Sequence, residues 1–109
     1  MKTVEEAMSE IKVGDIIVSQ WGYSMILYDF FQVVSKTPKT LKIVELKKKS
    51  LNGDPANLQV QPIPNEFASP VLSRRVSKYG TLAGTLPSQT MDIRSKYNPN
   101  AQYFEDHMD

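Results

Sequence analysis

Few residues in this chain could do chemistry by type, and their spacing does not assemble a reaction. The only histidine, His107, stands near the C-terminus. Chain ends are poorly held and general acid–base catalysis needs a fixed geometry, so His107 reads as a tail residue. The absence of cysteine removes a thiolate nucleophile, disulfides and cysteine-ligated metal sites. No serine sits in a G-x-S-x-G elbow. The glycines, at positions 14, 22, 53, 80 and 84, are scattered rather than gathered into a phosphate loop. The carboxylates show neither D-x-D-x-D nor E-x-x-H spacing. The expectation is a protein that is not an enzyme and uses no metal or cofactor.

Binding has better material. Trp21 and Tyr23 flank Gly22 at a turn. Exposed, the two rings would grip a peptide or stack on bases; alternatively Trp21 folds back and plugs the end of the fold. Lys47, Lys48 and Lys49 form one cationic run and Arg74, Arg75 and Lys78 a second. If the strands that carry them are neighbours, they make one basic face suited to phosphates. A lysine run is also a common device against edge-strand aggregation. Asp29 lies inside an apolar run between Tyr28 and Phe30, where an unpaired carboxylate is costly to bury. It is expected to be structural, accepting backbone or tyrosine hydrogen bonds or pairing with a lysine or arginine.

The elements that must position these residues follow from the periodicity. Thr3-Val4-Glu5-Glu6 has capping-box spacing, and Val4, Ala7, Met8 and Ile11 form an apolar stripe, giving a short helix over about 3–10. Strands are expected at 15–20, 25–36, 40–47 and 58–63 from alternating apolar residues, with shorter ones at 71–77 and 91–94. In the second strand neither face is polar, so it must be central or strongly curved. Lys47 to Pro55 reads as a polar loop, and Pro62 and Pro64 mark the fourth strand as an edge or as ending there. Gly80, Gly84 and Pro87 read as loop breakers, and residues 97–109 as a frayed tail or short helix. Together these give a single mainly-β domain over 1–109, a small SH3-like, partly open β-barrel over about 13–95 with a short N-terminal helix.

With 109 residues the chain has room for one modest core. No apolar run approaches the ~18 residues that span a bilayer, and the N-terminus lacks the apolar centre of a secretory signal; no membrane partner and a cytoplasmic location are expected. The net charge of +1 hides a polarity. Residues 1–15 balance at −2, residues 36–96 at +7 and residues 97–109 at −3. A basic middle between acidic ends serves either an anionic partner or an internal match.

The segments V-G-D-I-I-V-S-Q-W-G-Y at 13–23, Y-D-F-F-Q-V-V at 28–34 and K-T-L-K-I-V-E-L at 39–46 resemble a family of small tailed-bacteriophage and prophage proteins. Its pattern runs G-D-I, then S-x-W-G-Y or S-W-G-Y, then D-F-Y-Q-V, then K-T-V. The resemblance spans residues 13–46 and extends weakly to Arg74-Arg75-Val76 and the tyrosine-rich C-terminus. Gln20 is inserted before the tryptophan, and Phe31 replaces a tyrosine. The resemblance implies a phage or mobile-element origin and brings no activity with it. The expected function is therefore a non-enzymatic binding module that engages a host protein, in its narrowest version an inhibitor of a host defence nuclease such as a CRISPR effector. The alternative is a small nucleic-acid-binding barrel that uses the Lys/Arg face with Trp/Tyr stacking.

Overall fold

The computed structural model describes residues 3–21, 27–85 and 89–107. The described residues form one helix, α1 (Val4–Glu10), and eight strands: β1 (Ile16–Trp21), β2 (Leu27–Lys36), β3 (Thr40–Ser50), β4 (Leu58–Phe67), β5 (Leu72–Arg75), β6 (Thr81–Ala83), β7 (Thr90–Asp92) and β8 (Tyr103–Glu105). The main sheet is antiparallel in the order β1-β2-β3-β4-β8, with β5 also on β3, and it curls into a half-barrel. β6 and β7 pair with each other as a separate hairpin.

β3 is long enough to take two partners in succession along one edge. Its first half pairs with β5, Thr40 opposite Arg75 and Ile43 opposite Leu72. Its second half pairs with β4, Ser50 opposite Val60. Between them Ala68 donates to the Glu45 carbonyl at 2.7 Å, and the Ser69 hydroxyl accepts the Glu45 N–H at 3.0 Å, so the ladder is continued by a side chain. The β3–β4 register shifts between Leu46 and Lys48, and the β2–β3 register between Val33 and Ser35. Such irregularities bend strands and increase twist, which is what a half-barrel requires.

β2 is central, and its two phenylalanines explain why neither of its faces is polar. Phe31 and Val33 join Ile17, Leu41 and Ile43 under a cover made by Ala7 and Met8 of α1, by Ile11 just after it, and by Leu82, Met91 and Ile93. Phe30 points the other way, with Leu46 and Val60, and meets Tyr97 and Tyr103 edge-on, each at 5.6 Å between ring centroids. A half-barrel with a core on each side buries both faces. Thr3 caps α1, its hydroxyl accepting the Glu6 N–H at 3.1 Å.

Several expected boundaries are corrected. β3 runs on through the lysines to Ser50 rather than ending in a polar loop, because Lys48, Lys49 and Ser50 keep their ladder opposite Pro62, Gln61 and Val60. β4 passes through both prolines: Pro62 stands opposite Lys48, and Pro64 lies on the stretch between Pro62 and Phe67 that swings away from β3, where a missing N–H costs no ladder bond. Asn65, at φ 65°, sits on this excursion and exchanges two bonds with the Gln32 side chain, at 2.9 and 3.0 Å. The stretch read as loops contains β6, which pairs with β7, and β7 is not the last strand. The described part of the C-terminal segment, residues 97–107, holds a strand in place of the expected tail or helix: β8 pairs with β4, Leu58 opposite Glu105.

Candidate docking groove

Two places gather polar and charged side chains. The first lies where β2, β3 and β8 meet. Glu105, with only 3% of its side chain exposed, accepts the Tyr28 N–H at 2.8 Å, the Lys48 ammonium at 2.7 Å and His107 Nε2 at 2.9 Å. Lys48 also donates to the Tyr28 carbonyl at 2.6 Å and lies 3.7 Å from Asp29. Asp29 thus pairs with a lysine as expected, and in addition accepts the Gln89 amide at 2.9 Å. That amide also reaches the Ser19 hydroxyl at 3.3 Å, while Thr85 donates to Glu45 at 3.1 Å. Burial and then nearby Asp29 push the Glu45 carboxyl above its ordinary value, with Thr85 and Lys48 opposing. For Glu105 burial pushes upward, but the bonds from Lys48, the Tyr28 amide and His107 win, and its pKa is lowered. These groups are saturated by one another and fix strands. His107 is part of this network rather than a free tail residue, and its N–H donates to the Pro55 carbonyl at 2.9 Å.

The second place is a groove of about 650 Å³ between α1, the β2–β3 turn and the segment after β5. Val4 and Met8, one helical turn apart and so on one face of α1, form its floor with Pro38 and Val76. A shallower bay over Ser9, Lys36 and Thr37 shares Met8 and Pro38 with it. Three cations rim the groove, Lys39, Arg75 and Lys78, against one acid, Glu5. Lys39 and Arg75 are exposed and carry no ion pair or side-chain hydrogen bond among the described residues. Lys78 stands 5.1 Å from the centroid of the Tyr79 ring, and Tyr79 itself is 69% exposed.

The walls are tied together. Lys36 donates to the carbonyls of Met8 and Ile11 at 2.7 and 2.8 Å, fixing the end of α1 to β2. Val76 donates to the Lys39 carbonyl at 2.9 Å, joining two sides of the rim. Ser77 holds the turn that follows: its hydroxyl accepts from Tyr79 and Thr81 amides and contacts the Thr81 hydroxyl at 2.7 Å. Gly80 closes this turn at φ +83°, with the Arg94 guanidinium 2.9 Å from where a Cβ would stand. A groove held in this way is preformed, which lowers the ordering cost of binding.

The expected single basic face does not form. The strands of the 40s and 70s are neighbours, but Arg74 and Arg75 oppose Leu41 and Thr40. Lys47 lies six residues further along β3, about 20 Å at ~3.3 Å per residue. Alternation also separates the two arginines. Arg75 faces outward, whereas Arg74 turns back and donates to the carbonyls of Ala83 and Gly84 at 3.2 and 3.3 Å. Lys48 is consumed by Glu105, while Lys47 and Lys49 remain exposed. Of the two aromatic candidates, Tyr23 lies outside the described residues. Trp21 ends β1 half-buried, with its indole N–H covered and unpartnered among the described residues, so little of it is presented as a platform. As groove lining, Val4, Met8, Pro38, Lys39 and Val76 are not singled out by sequence, which reads Val4 and Met8 only as part of the apolar stripe of the helix. The signal that would have pointed there is the pair Arg75 and Lys78 beside an i, i+4 apolar stripe. Among the described residues no group of three or more His, Cys, Asp or Glu side chains is placed to hold a metal ion, and no helix is long and apolar enough to cross a membrane.

Comparison with protein families, with curated proteins and with solved structures finds no match for this chain.

Proposed function

We propose that this chain is a non-enzymatic, phage-derived binding module that engages a host protein through the groove between α1, the β2–β3 turn and the end of β5. The observation that carries the reading is an apolar floor inside a cationic rim on which Lys39 and Arg75 have no ion pair among the described residues. Several other cations are matched within the fold, Lys48 on Glu105, Arg94 on Asp92, Lys96 on Asp15 and Arg74 on backbone carbonyls, while Lys47 and Lys49 stay exposed away from any apolar groove among the described residues. Unpaired charge beside accessible apolar surface is the arrangement of a recognition site, where the charges set orientation and partner choice and the apolar centre gives affinity. The resemblance of residues 13–46 to phage proteins supports a host protein as partner, and a defence nuclease is its narrowest form.

Direct nucleic-acid binding is the second reading, favoured by one observation. Lys42 lies on the same face of β3 as Thr40, the residue that opposes Arg75, so Lys39, Lys42, Arg75 and Lys78 gather at one end of the molecule. Affinity capture from host lysate separates the two. Wild type is compared with Arg75→Glu/Lys78→Glu, each with and without nuclease treatment. The expected result is a protein retained after nuclease and lost on charge reversal. A catch that vanishes with nuclease contradicts the protein-binding reading and moves the function to nucleic acid.

A further inference from the structure

The geometry points to a specific occupant for this groove: a short extended segment of the partner with one aliphatic side chain flanked by carboxylates. This deepens the proposed function and rests on it. The floor is set by Val4 and Met8, four residues apart on α1, and one helical turn advances only ~5–6 Å. With the shallower bay beyond Met8, the channel accommodates about three extended residues at ~3.3 Å each.

Chemistry sets the pattern within those three. The floor offers Val4, Met8, Pro38 and Val76 and no charge; methionine adapts its shape to an aliphatic or aromatic guest. An extended segment alternates its side chains, so when its central residue points down the two flanking ones point to the rim. There they meet Lys39, Arg75 and Lys78, with Glu5 the only opposing charge. Carboxylates are favoured at both flanking positions, and lysine or arginine there is repelled. Arg75, exposed and without an ion pair among the described residues, presents the planar fork that grips a carboxylate in two places. A nucleic-acid strand fits less well, because its bases and sugars offer no aliphatic group for the apolar floor of Val4, Met8, Pro38 and Val76.

The test is fluorescence anisotropy with a labelled heptapeptide of serine and glycine around a central glutamate–leucine–aspartate. Wild type is compared with Arg75→Glu/Lys78→Glu and with Lys47→Glu/Lys49→Glu, each checked for an unchanged circular dichroism spectrum. Saturable binding is expected from wild type. Reversing Arg75 and Lys78, or replacing the leucine by serine, should each weaken it by about tenfold or more. Reversing Lys47 and Lys49 should change it less than about twofold, as remote exposed charges are screened. Methyl NMR signals of Val4, Met8 and Val76 should shift on titration. No saturable binding, or binding indifferent to Arg75→Glu/Lys78→Glu, overturns the inference. So does tight binding of a 20-nucleotide single strand that the peptide does not compete away. If the peptide fails but the charge-reversed variant still loses the nuclease-resistant partner, the occupant is wrong and the module stands. If that variant keeps the partner, both fail.

Discussion

Glu105 shows how much one side chain can hold. A nearly buried carboxylate takes three donors, from β2, β3 and its own strand's end, and so clamps β8 across the half-barrel. Replacing it with glutamine keeps the shape and removes the charge. Glu105→Gln should lower stability by about 1.5–3 kcal/mol, the range for hydrogen bonds to charged groups, measured by urea denaturation at neutral pH. Its folded pKa is lowered, so its stabilisation is present above the unfolded value near 4.5 and is lost as pH falls through the lowered folded value. The wild-type advantage over Glu105→Gln should therefore shrink in acid; an advantage constant from pH 7 to pH 3 contradicts the clamp. At this scale the sequence was partly legible. Asp29 announced itself as a carboxylate inside an apolar run, and it does meet a lysine. Glu105 did not, because its burial comes from a pairing with Leu58 and a contact with Tyr28, 47 and 77 positions away by number. Nothing local in the tail encodes those.

The elements were legible where alternation is strong. α1 and strands β1 to β3 lie within a few residues of where Thr3, the Ile-Ile-Val run, Phe30–Phe31 and Leu41–Ile43 put them, and a mainly-β, partly open barrel with a short helix follows. The failures share a cause. β4 through Pro62, β6 between two glycines and β8 in a polar tail are all poor strands by composition, made into strands by a neighbour's free edge. Tertiary pairing overrides propensity in such cases. Gly80 is where an element meets the groove. Because it is held at φ +83° against the Arg94 guanidinium, Gly80→Ala should cost on the order of 1–2 kcal/mol, seen as a lower Tm in a thermal melt. It should also weaken partner binding, since Ser77 and Lys78 belong to the same turn. An unchanged Tm would show that the turn relaxes freely and that the groove wall is not fixed by it.

Across the whole molecule the charge polarity seen in the sequence resolves into three parts. One is internal matching, in which acidic ends pair with the basic middle: Lys48 with Glu105, and Lys96 with Asp15 at 3.3 Å. The remaining exposed cations lie toward opposite ends of β3, Lys47 and Lys49 at one end and Lys42 with the groove's Lys39, Arg75 and Lys78 at the other. Only the second has an apolar floor between its cations. That placement was not legible, since it depends on β5 pairing with the first half of β3 and on α1 crossing nearby. The central claim is that this end is the docking surface, and hydrogen–deuterium exchange on the complex with the captured partner tests it directly. New protection is expected in residues 4–9, 37–40 and 75–79, with the β3–β4 hairpin around Lys49 unchanged. Protection confined to residues 47–60, with the groove segments exchanging as in the free protein, would contradict it.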